Sequence, residues 1–465
     1  MPSSNANSSS ESLTSTRTAL IEQATRYASE YLSGIDARSV APSPEAVAGL
    51  AALCGDLPTG PTNPDAVLEL LHRHGSPATV VNSGGRHFGF VVGGTVPAAL
   101  GAAILVSTWD QNASMHILSP AASELEATAL RWTAELLGLP GGTGGAVVTG
   151  ATMANFCALA AARHAILERT GWNVEQDGLF GAPPITVVVG DEVHSSVIKA
   201  LGMLGMGRNR TIRVPADGQG RMRVDALPHL DANTILCLQA GNVNTGAFDP
   251  AAAICTAARA AGAWIHVDGA FGLWAAASPQ YRHLTAGFEL ADSWALDGHK
   301  WPNVGYDCGI ALVRDPAALK GAMSIQAAYL VHGELHEPSH YTPELSRRAR
   351  GVELWAALRS LGREGMAAIV ERTSSHARRF ADGLRAAGHE VLNDVVINQV
   401  LVSFGAPERT LEVVRRIQQE GTCWCGTTVW QGRTAMRISV SSWVTSESDV
   451  EASLNAMIRM AAHEG

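Results

Sequence analysis

The chain has 465 residues, too many for one small domain, and its 46% hydrophobic and 17% charged content suits a packed core rather than a disordered or fibrous chain. A net charge of −9 with no long basic run leaves no electrostatic footprint for nucleic acid and no polybasic patch for a membrane surface. The seven cysteines are odd in number, scattered and without a CxxC pair, which argues against a disulfide framework or zinc ribbon and for a reducing, cytosolic compartment.

The first sixteen residues, MPSSNANSSSESLTST, are polar and lack the basic and apolar regions of a signal peptide, so they read as a disordered lead-in. A helix is predicted from Thr18 to Gly34, closed by glycine, with shorter helices over Ser43–Leu50 and Asp65–His74. Phe88 to Trp109 is uncharged and long enough to span a bilayer, but Gly93, Gly94, Pro97 and Gly101 interrupt it. A turn followed by a buried helix is the expectation there. Ser119–Leu137 reads as an amphipathic helix with Pro120 near its start.

Strands and helices then alternate. GGAVVTG runs into the Ala-rich ATMANFCALAAARHAIL, and ITVVVG (185–190) into HSSVIKALGML. TIRVPA, TILCLQA (234–240) and AWIHVDGA (263–270) read as strands, with PAAAICTAARAAG a helix between the last two. Apolar strands alternating with helices predict an α/β domain with a largely parallel sheet buried on both faces. From about residue 356 helices and strands segregate, as expected of a small α+β domain. The expected organisation is a helical N-terminal segment over 1–96, a large domain over 97–355 and a small domain over 356–465. Cys423 and Cys425 form a CxC without further ligands at metal spacing, so they read as two strand residues on one face and no metal is expected.

In open α/β sheets ligands sit beyond the carboxyl ends of the strands. Four such ends carry polar groups. In VVTGATMAN the free N–H groups around Gly150, Ala151 and Thr152 can cradle a phosphate, although alone this is also an ordinary turn. GDEVHSS places His194 after a strand, where it either stacks on a cofactor ring or is structural. In IHVDGA, Asp268 needs a cation or donors; a protonated pyridine nitrogen would serve, and a helix cap or metal ligand is the alternative. Finally, ADSWALDGHKWPNVGYDCGIAL holds one lysine, Lys300, which is either a loop lysine or an amine that forms a Schiff base. Found in this order along one domain, the four describe a site for pyridoxal 5′-phosphate (PLP), and their conjunction outweighs the bland alternatives.

With DEVHSS, HVDGAFG, ELADSWALDGHKW and YDCGIALV, and with GRHFGFVVGGTVPAALGA, DQN (110–112), LSRRARGVELW (345–355) and GRTAMRISVSSW, the chain from about residue 80 onward resembles the PLP-dependent group II amino-acid decarboxylases. That family includes the glutamate, histidine and aromatic amino-acid enzymes. The resemblance implies fold type I with a mainly parallel seven-stranded sheet, a homodimer with active sites at the interface, and conversion of an L-amino acid to its amine and CO₂. By position it implies Lys300 as the Schiff-base lysine, Asp268 as partner of the ring nitrogen, and His194 stacked on the ring. Ala151, Thr152 and His299 match phosphate contacts, and Ala270 matches a residue packed on the ring. Tyr329, in SIQAAYLVHGELHE, matches a loop tyrosine that returns a proton to the carbanion; phenylalanine there accompanies oxidative deamination to aldehydes.

The chain also departs from the pattern. AGNVNTGAFD (240–249) has Asn242 and Val243 where many members have threonines, leaving Asn242, Asn244 or Thr245 to supply the missing group. Asp297 replaces an asparagine that touches phosphate in the aromatic enzymes; an anion there would repel, so Asp297 is expected to turn away from the site. Pro302 replaces a common leucine. The same lysine, aspartate and phosphate turn also serve aminotransferases and carbon–carbon lyases, the runner-up activities, and a silent PLP-binding protein is disfavoured by retention of both Lys300 and Asp268. The substrate side chain is not legible: His87, Phe88 and Trp109 either line an apolar pocket or belong to the core.

Overall fold

The apolar runs build a seven-stranded sheet from β1 (Gly144–Val148), β2 (Thr186–Gly190), β3 (Thr211–Val214), β4 (Thr234–Gln239), β5 (Trp264–Asp268), β6 (Ser293–Asp297) and β7 (Gly309–Val313). These are seen in a computed structural model that describes residues 5–325 and 336–462, with side chains from residue 16 onward. The spatial order is β1-β7-β6-β5-β4-β2-β3. Strand β7 runs antiparallel to both its neighbours, and the remaining pairs are parallel.

Both faces of the sheet are buried, which is why its strands read as unbroken apolar runs. Val188, Leu236, Leu238, Ile265, Val267 and Leu296 pack toward helices Pro120–Leu136, Ala251–Ala260 and Arg350–Ala386. The alternate residues Val187, Val189, Ile235, Cys237 and Ala295 pack toward helices Ala151–Arg169, Ser195–Met203 and Pro316–Met323. The period of two in each strand thus divides one apolar run between two cores.

A second, antiparallel sheet has the order β10-β11-β9-β8, from β8 (Glu390–Val391), β9 (Gln399–Ser403), β10 (Gly426–Trp430) and β11 (Arg433–Ser439). Cys423 and Cys425 lie buried just ahead of β10, in the core of this layer. The N-terminal segment joins it: Phe88 N donates to Trp424 O at 2.8 Å, and Ser439 N donates to Phe88 O at 2.9 Å. Helix Arg350–Ala386 links the two sheets and bends at Gly362, whose φ of 60° suits a residue without Cβ.

Two expectations need correction. Helix Asn5–Ser33 reaches back into the stretch expected to be disordered, since each residue added to an existing helix gains a hydrogen bond without a new nucleus. Helix Pro97–Trp109, expected to be buried, turns Ala99, Ala102 and Val106 inward but leaves Leu100, Ile104, Leu105 and Trp109 exposed. Apart from Ser107 and Thr108 it carries no polar side chain, so it holds more apolar surface than it buries here. At 13 residues it is also too short to span a bilayer, and among the described residues no helix is long and apolar enough to cross a membrane.

Candidate active site

At the carboxyl ends of β1, β4, β5 and β6 a cleft of about 410 Å³ opens, and Ala151, Thr152, His194, Asp268, Ala270, His299 and Lys300 all line it. The seven predicted cofactor contacts therefore share one cavity. Tyr329 lies outside the described residues. Asn242, Asn244 and Thr245 do not line the cleft; Gln239, Gly241 and Val243 do. Asn242 is consumed by its own turn, its Oδ1 accepting from Asn244 N (2.8 Å) and Thr245 N (3.2 Å), while the Thr245 hydroxyl donates to Gln219 O.

The apolar wall is also not the one considered from sequence. Phe88 packs edge-on against Phe380 in the small-sheet core, and His87 stacks on Trp424 at 5.2 Å. Phe90, Val91 and Val92 line the cleft instead. Phe90 and Val91 both have φ of 58°, a conformation that costs a side-chain-bearing residue about 1–3 kcal/mol and is held here against the site.

Lys300 is placed by the β6–β7 hairpin, in which Asp297 pairs with Gly309. Within the loop, Gly298 N and His299 N donate to Cys308 O. Asn303, fully buried, anchors the rest: its Nδ2 donates to Trp301 O (2.6 Å) and Ser441 O (3.0 Å), and its Oδ1 accepts from Gly94 N (2.6 Å) and Trp443 N (3.0 Å). Gly93 backs directly onto the lysine, since a Cβ there would fall 2.0 Å from Lys300 O. Sequence reasoning missed Asn303, although an asparagine in an apolar run beside a candidate lysine was a usable signal.

The phosphate turn follows β1. Gly309 lies under it so closely that a Cβ would meet Gly150 Cα at 2.4 Å. The amide at the helix start already has a partner: Ala151 N donates to Asp297 Oδ1 at 2.6 Å. Asp297 Oδ2 lies 2.9 Å from Lys300 Nζ, and His299 Nε2 lies 3.5 Å from Oδ1. Asp297 therefore faces into the site, contrary to the expectation that it turns away. The expectation weighed repulsion by a phosphate but not the Ala151 amide and the Lys300 side chain that hold the carboxylate.

Three donors converge on Asp268: Ala270 N (3.3 Å), Ser196 Oγ (3.3 Å) and Asn155 Nδ2 (3.4 Å). Behind Asn155 runs a directional chain. Trp264 Nε1 donates to Ser293 Oγ (3.0 Å), Ser293 bonds His266 Nδ1 (3.0 Å), and His266 Nε2 bonds Asn155 Oδ1 (2.8 Å). With Asn155 accepting, the His266 proton sits on Nε2 and Nδ1 accepts from serine. The chain fixes the amide orientation that donates to Asp268. Asn155 and Ser196 were also missed from sequence; a lone asparagine in an Ala-rich helix was the sign.

His194 caps helix Ser195–Met203, its Nδ1 accepting from Ser196 N at 3.2 Å. Burial holds its pKa below the ordinary value, against the pull of Asp268. The neutral ring then carries its proton on Nε2. Burial likewise lowers the pKa of His299, whose Nδ1 accepts from Cys308 N at 3.2 Å and whose ring stacks on Tyr306 at 4.4 Å. Tyr306, unassigned from sequence, lines the cleft with its pKa raised to about 12, by desolvation first and the Asp297 charge second.

Burial pushes His266 down to about 4 from an ordinary 6.5. Between those values the unfolded chain binds the proton and the folded chain does not, so stability is full above pH 6.5 and declines as pH falls toward 4. The loss is about 3 kcal/mol at most for this one group. Denaturant midpoints measured from pH 7 to 4.5 should fall in the wild type and fall less in His266→Gln; parallel curves would remove His266 as the cause.

The residues fit PLP: a helix-terminal amide turn for phosphate, an amine for an aldehyde, and a buried carboxylate with an open side for a ring nitrogen, all around one cleft. Residues 78–406 match the pyridoxal-dependent decarboxylase conserved domain. The chain is similar to tryptophan decarboxylase 1 of Oryza sativa subsp. japonica, 29% identical over 404 residues that cover 78% of this chain and 77% of the relative. It is 31% identical over 359 residues to the aromatic-L-amino-acid decarboxylase of Drosophila lebanonensis, covering 72% and 88%. Its fold matches the crystal structure of Oryza sativa TDC with PLP and tryptamine at a TM-score of 0.87 and 24% identity, over 96% of this chain and 97% of that one. These matches favour decarboxylation over the aminotransferase and lyase alternatives. The chain belongs to the pyridoxal-dependent decarboxylase family, and is a PLP-dependent carboxy-lyase that acts on an amino acid.

Proposed function

We propose that the enzyme decarboxylates an aromatic L-amino acid and works as a cytosolic homodimer. The observation that carries the substrate reading is the composition of the cleft. Its charged side chains are Asp268, Asp297 and Lys300, and the rest of its wall includes Phe90, Val91, Val92, Met153 and Phe271. With Lys300 and Asp268 committed to the cofactor, no described lining cation is left to pair a second carboxylate on a substrate, whereas an aromatic side chain gains from the apolar wall.

Lys300 would hold the cofactor aldehyde, Asp268 the ring nitrogen, Ala151, Thr152 and His299 the phosphate, and His194 and Ala270 would pack on the ring. When bound, PLP supplies an electron sink for the pair left behind as CO₂ departs. Asp268, oriented by Asn155 and Ser196, keeps a proton on its partner nitrogen. His194 presents Nε2–H to the cleft, and Tyr329 returns a proton to the substrate Cα.

The exposed apolar face of Leu100, Ile104, Leu105 and Trp109, continued by Ile117 and Leu118, supports a second copy as its cover. Phe90, 68% exposed while lining the cleft, supports an interface that reaches the substrate wall. Free thiols at all seven cysteines support a reducing compartment.

Incubating the holoenzyme with the twenty amino acids and their hydroxylated relatives should release CO₂ and amine chiefly from tryptophan, tyrosine or their hydroxylated forms. Preferred turnover of glutamate or a diamino acid would overturn the substrate reading. Tyr329→Phe should keep the visible absorbance and divert product toward aldehyde; unchanged amine output would sink that assignment. Sedimentation should give a dimer that Ile104→Glu dissociates, and an unchanged dimer would move the interface elsewhere.

A further inference from the structure

Asp297 ends β6 with only 2% of its surface exposed, and both of its oxygens engage groups that a phosphorylated aldehyde needs. Oδ1 takes the Ala151 N–H at the start of a 19-residue helix, and Oδ2 pairs with the Lys300 ammonium. A phosphate on that amide and a carboxylate on the same amide exclude each other: one N–H serves one such acceptor, and two anions repel strongly away from water. An ammonium held by a carboxylate is likewise no nucleophile until it gives up its proton.

We propose that Asp297 is a built-in placeholder for the cofactor phosphate, closing the amide cradle and pinning Lys300 in the cofactor-free chain and releasing both when cofactor binds. The inference rests on the PLP site described above and deepens it. Cofactor affinity is lowered by the free energy of breaking the internal contact, while the cofactor-free chain is stabilised by keeping it. The enzyme therefore tolerates the empty state and exchanges cofactor more readily than a site without an internal anion.

The test uses the full chain freed of cofactor, as wild type and as Asp297→Asn, with Asp297→Ser as a second neutral variant should the first fold poorly. Inorganic phosphate is titrated and followed by thermal shift, and PLP is titrated and followed by visible absorbance. Removing the carboxylate should tighten phosphate and PLP binding about tenfold or more and lower the melting temperature of the cofactor-free protein. Equal or weaker phosphate affinity in the neutral variants overturns the placeholder. Absence of any PLP-induced visible band in wild type and variants alike overturns instead the cofactor site on which it rests.

Discussion

Replacing Lys300 with alanine is expected to abolish the visible absorbance of PLP-loaded protein and to lower decarboxylation by on the order of 10⁴-fold or more. Lys300 is the only lysine among the described residues lining the cleft, so no neighbouring amine can take over the covalent attachment. The amide turn, Asp268 and His194 remain around the cleft, so the variant should still bind PLP, weakly and without the covalent chromophore. Lys300→Arg should not restore the band, because a guanidinium stays protonated and does not condense with an aldehyde. Absorbance spectra with and without borohydride reduction, followed by single-turnover CO₂ release, measure both parts. A wild-type band in Lys300→Ala would show that the amine lies elsewhere.

Arg347→Ala should cost about 3–5 kcal/mol of stability, because it strands a buried carboxylate. Arg347 and Glu126 are each 1% exposed at the side chain and lie 2.9 Å apart. The pair does more than neutralise itself. Strand β1 is an edge strand with β7 on one side only. On the other side Glu126 Oε1 accepts from Val147 N at 3.2 Å, and Arg347 donates to Val147 O and to Ala113 O. The two side chains thus replace a missing neighbouring strand, satisfying backbone groups that would otherwise be buried unpaired. A paired apolar replacement, Glu126→Leu with Arg347→Met, should therefore remain destabilised, unlike many buried ion pairs exchanged for hydrocarbon. Denaturant midpoints of the two single variants and the double variant decide it; recovery to wild-type stability in the double variant would mean that the backbone contacts contribute nothing.

What was legible in the sequence follows from what a local pattern can encode. Unbroken apolar runs such as ITVVVG and TILCLQA marked strands buried on both faces, and the rule placing ligands beyond strand ends brought Ala151, His194, Asp268 and Lys300 to one cleft. Partner choice was harder to read. Asn155, Ser196 and Asn303 act through residues far away in the chain, and nothing local to ATMANFC names Asp268 as the acceptor. Asp297 was misjudged because its direction is set by an amide 146 positions earlier as well as by a lysine three residues on. Helix Pro97–Trp109 was misjudged for a related reason: hydrophobicity marks a surface that favours burial, without saying that this chain buries it.

The anchoring of Asn303 bears on biosynthesis. Every described residue lining the cleft lies between positions 90 and 306, yet the loop that carries Lys300 is tied to the carbonyl of Ser441 and the amide of Trp443. A nascent polypeptide emerging from the ribosome holds these lining residues long before it holds the residues that fasten the loop. Full fastening of the Lys300 loop therefore waits for residues 441 and 443.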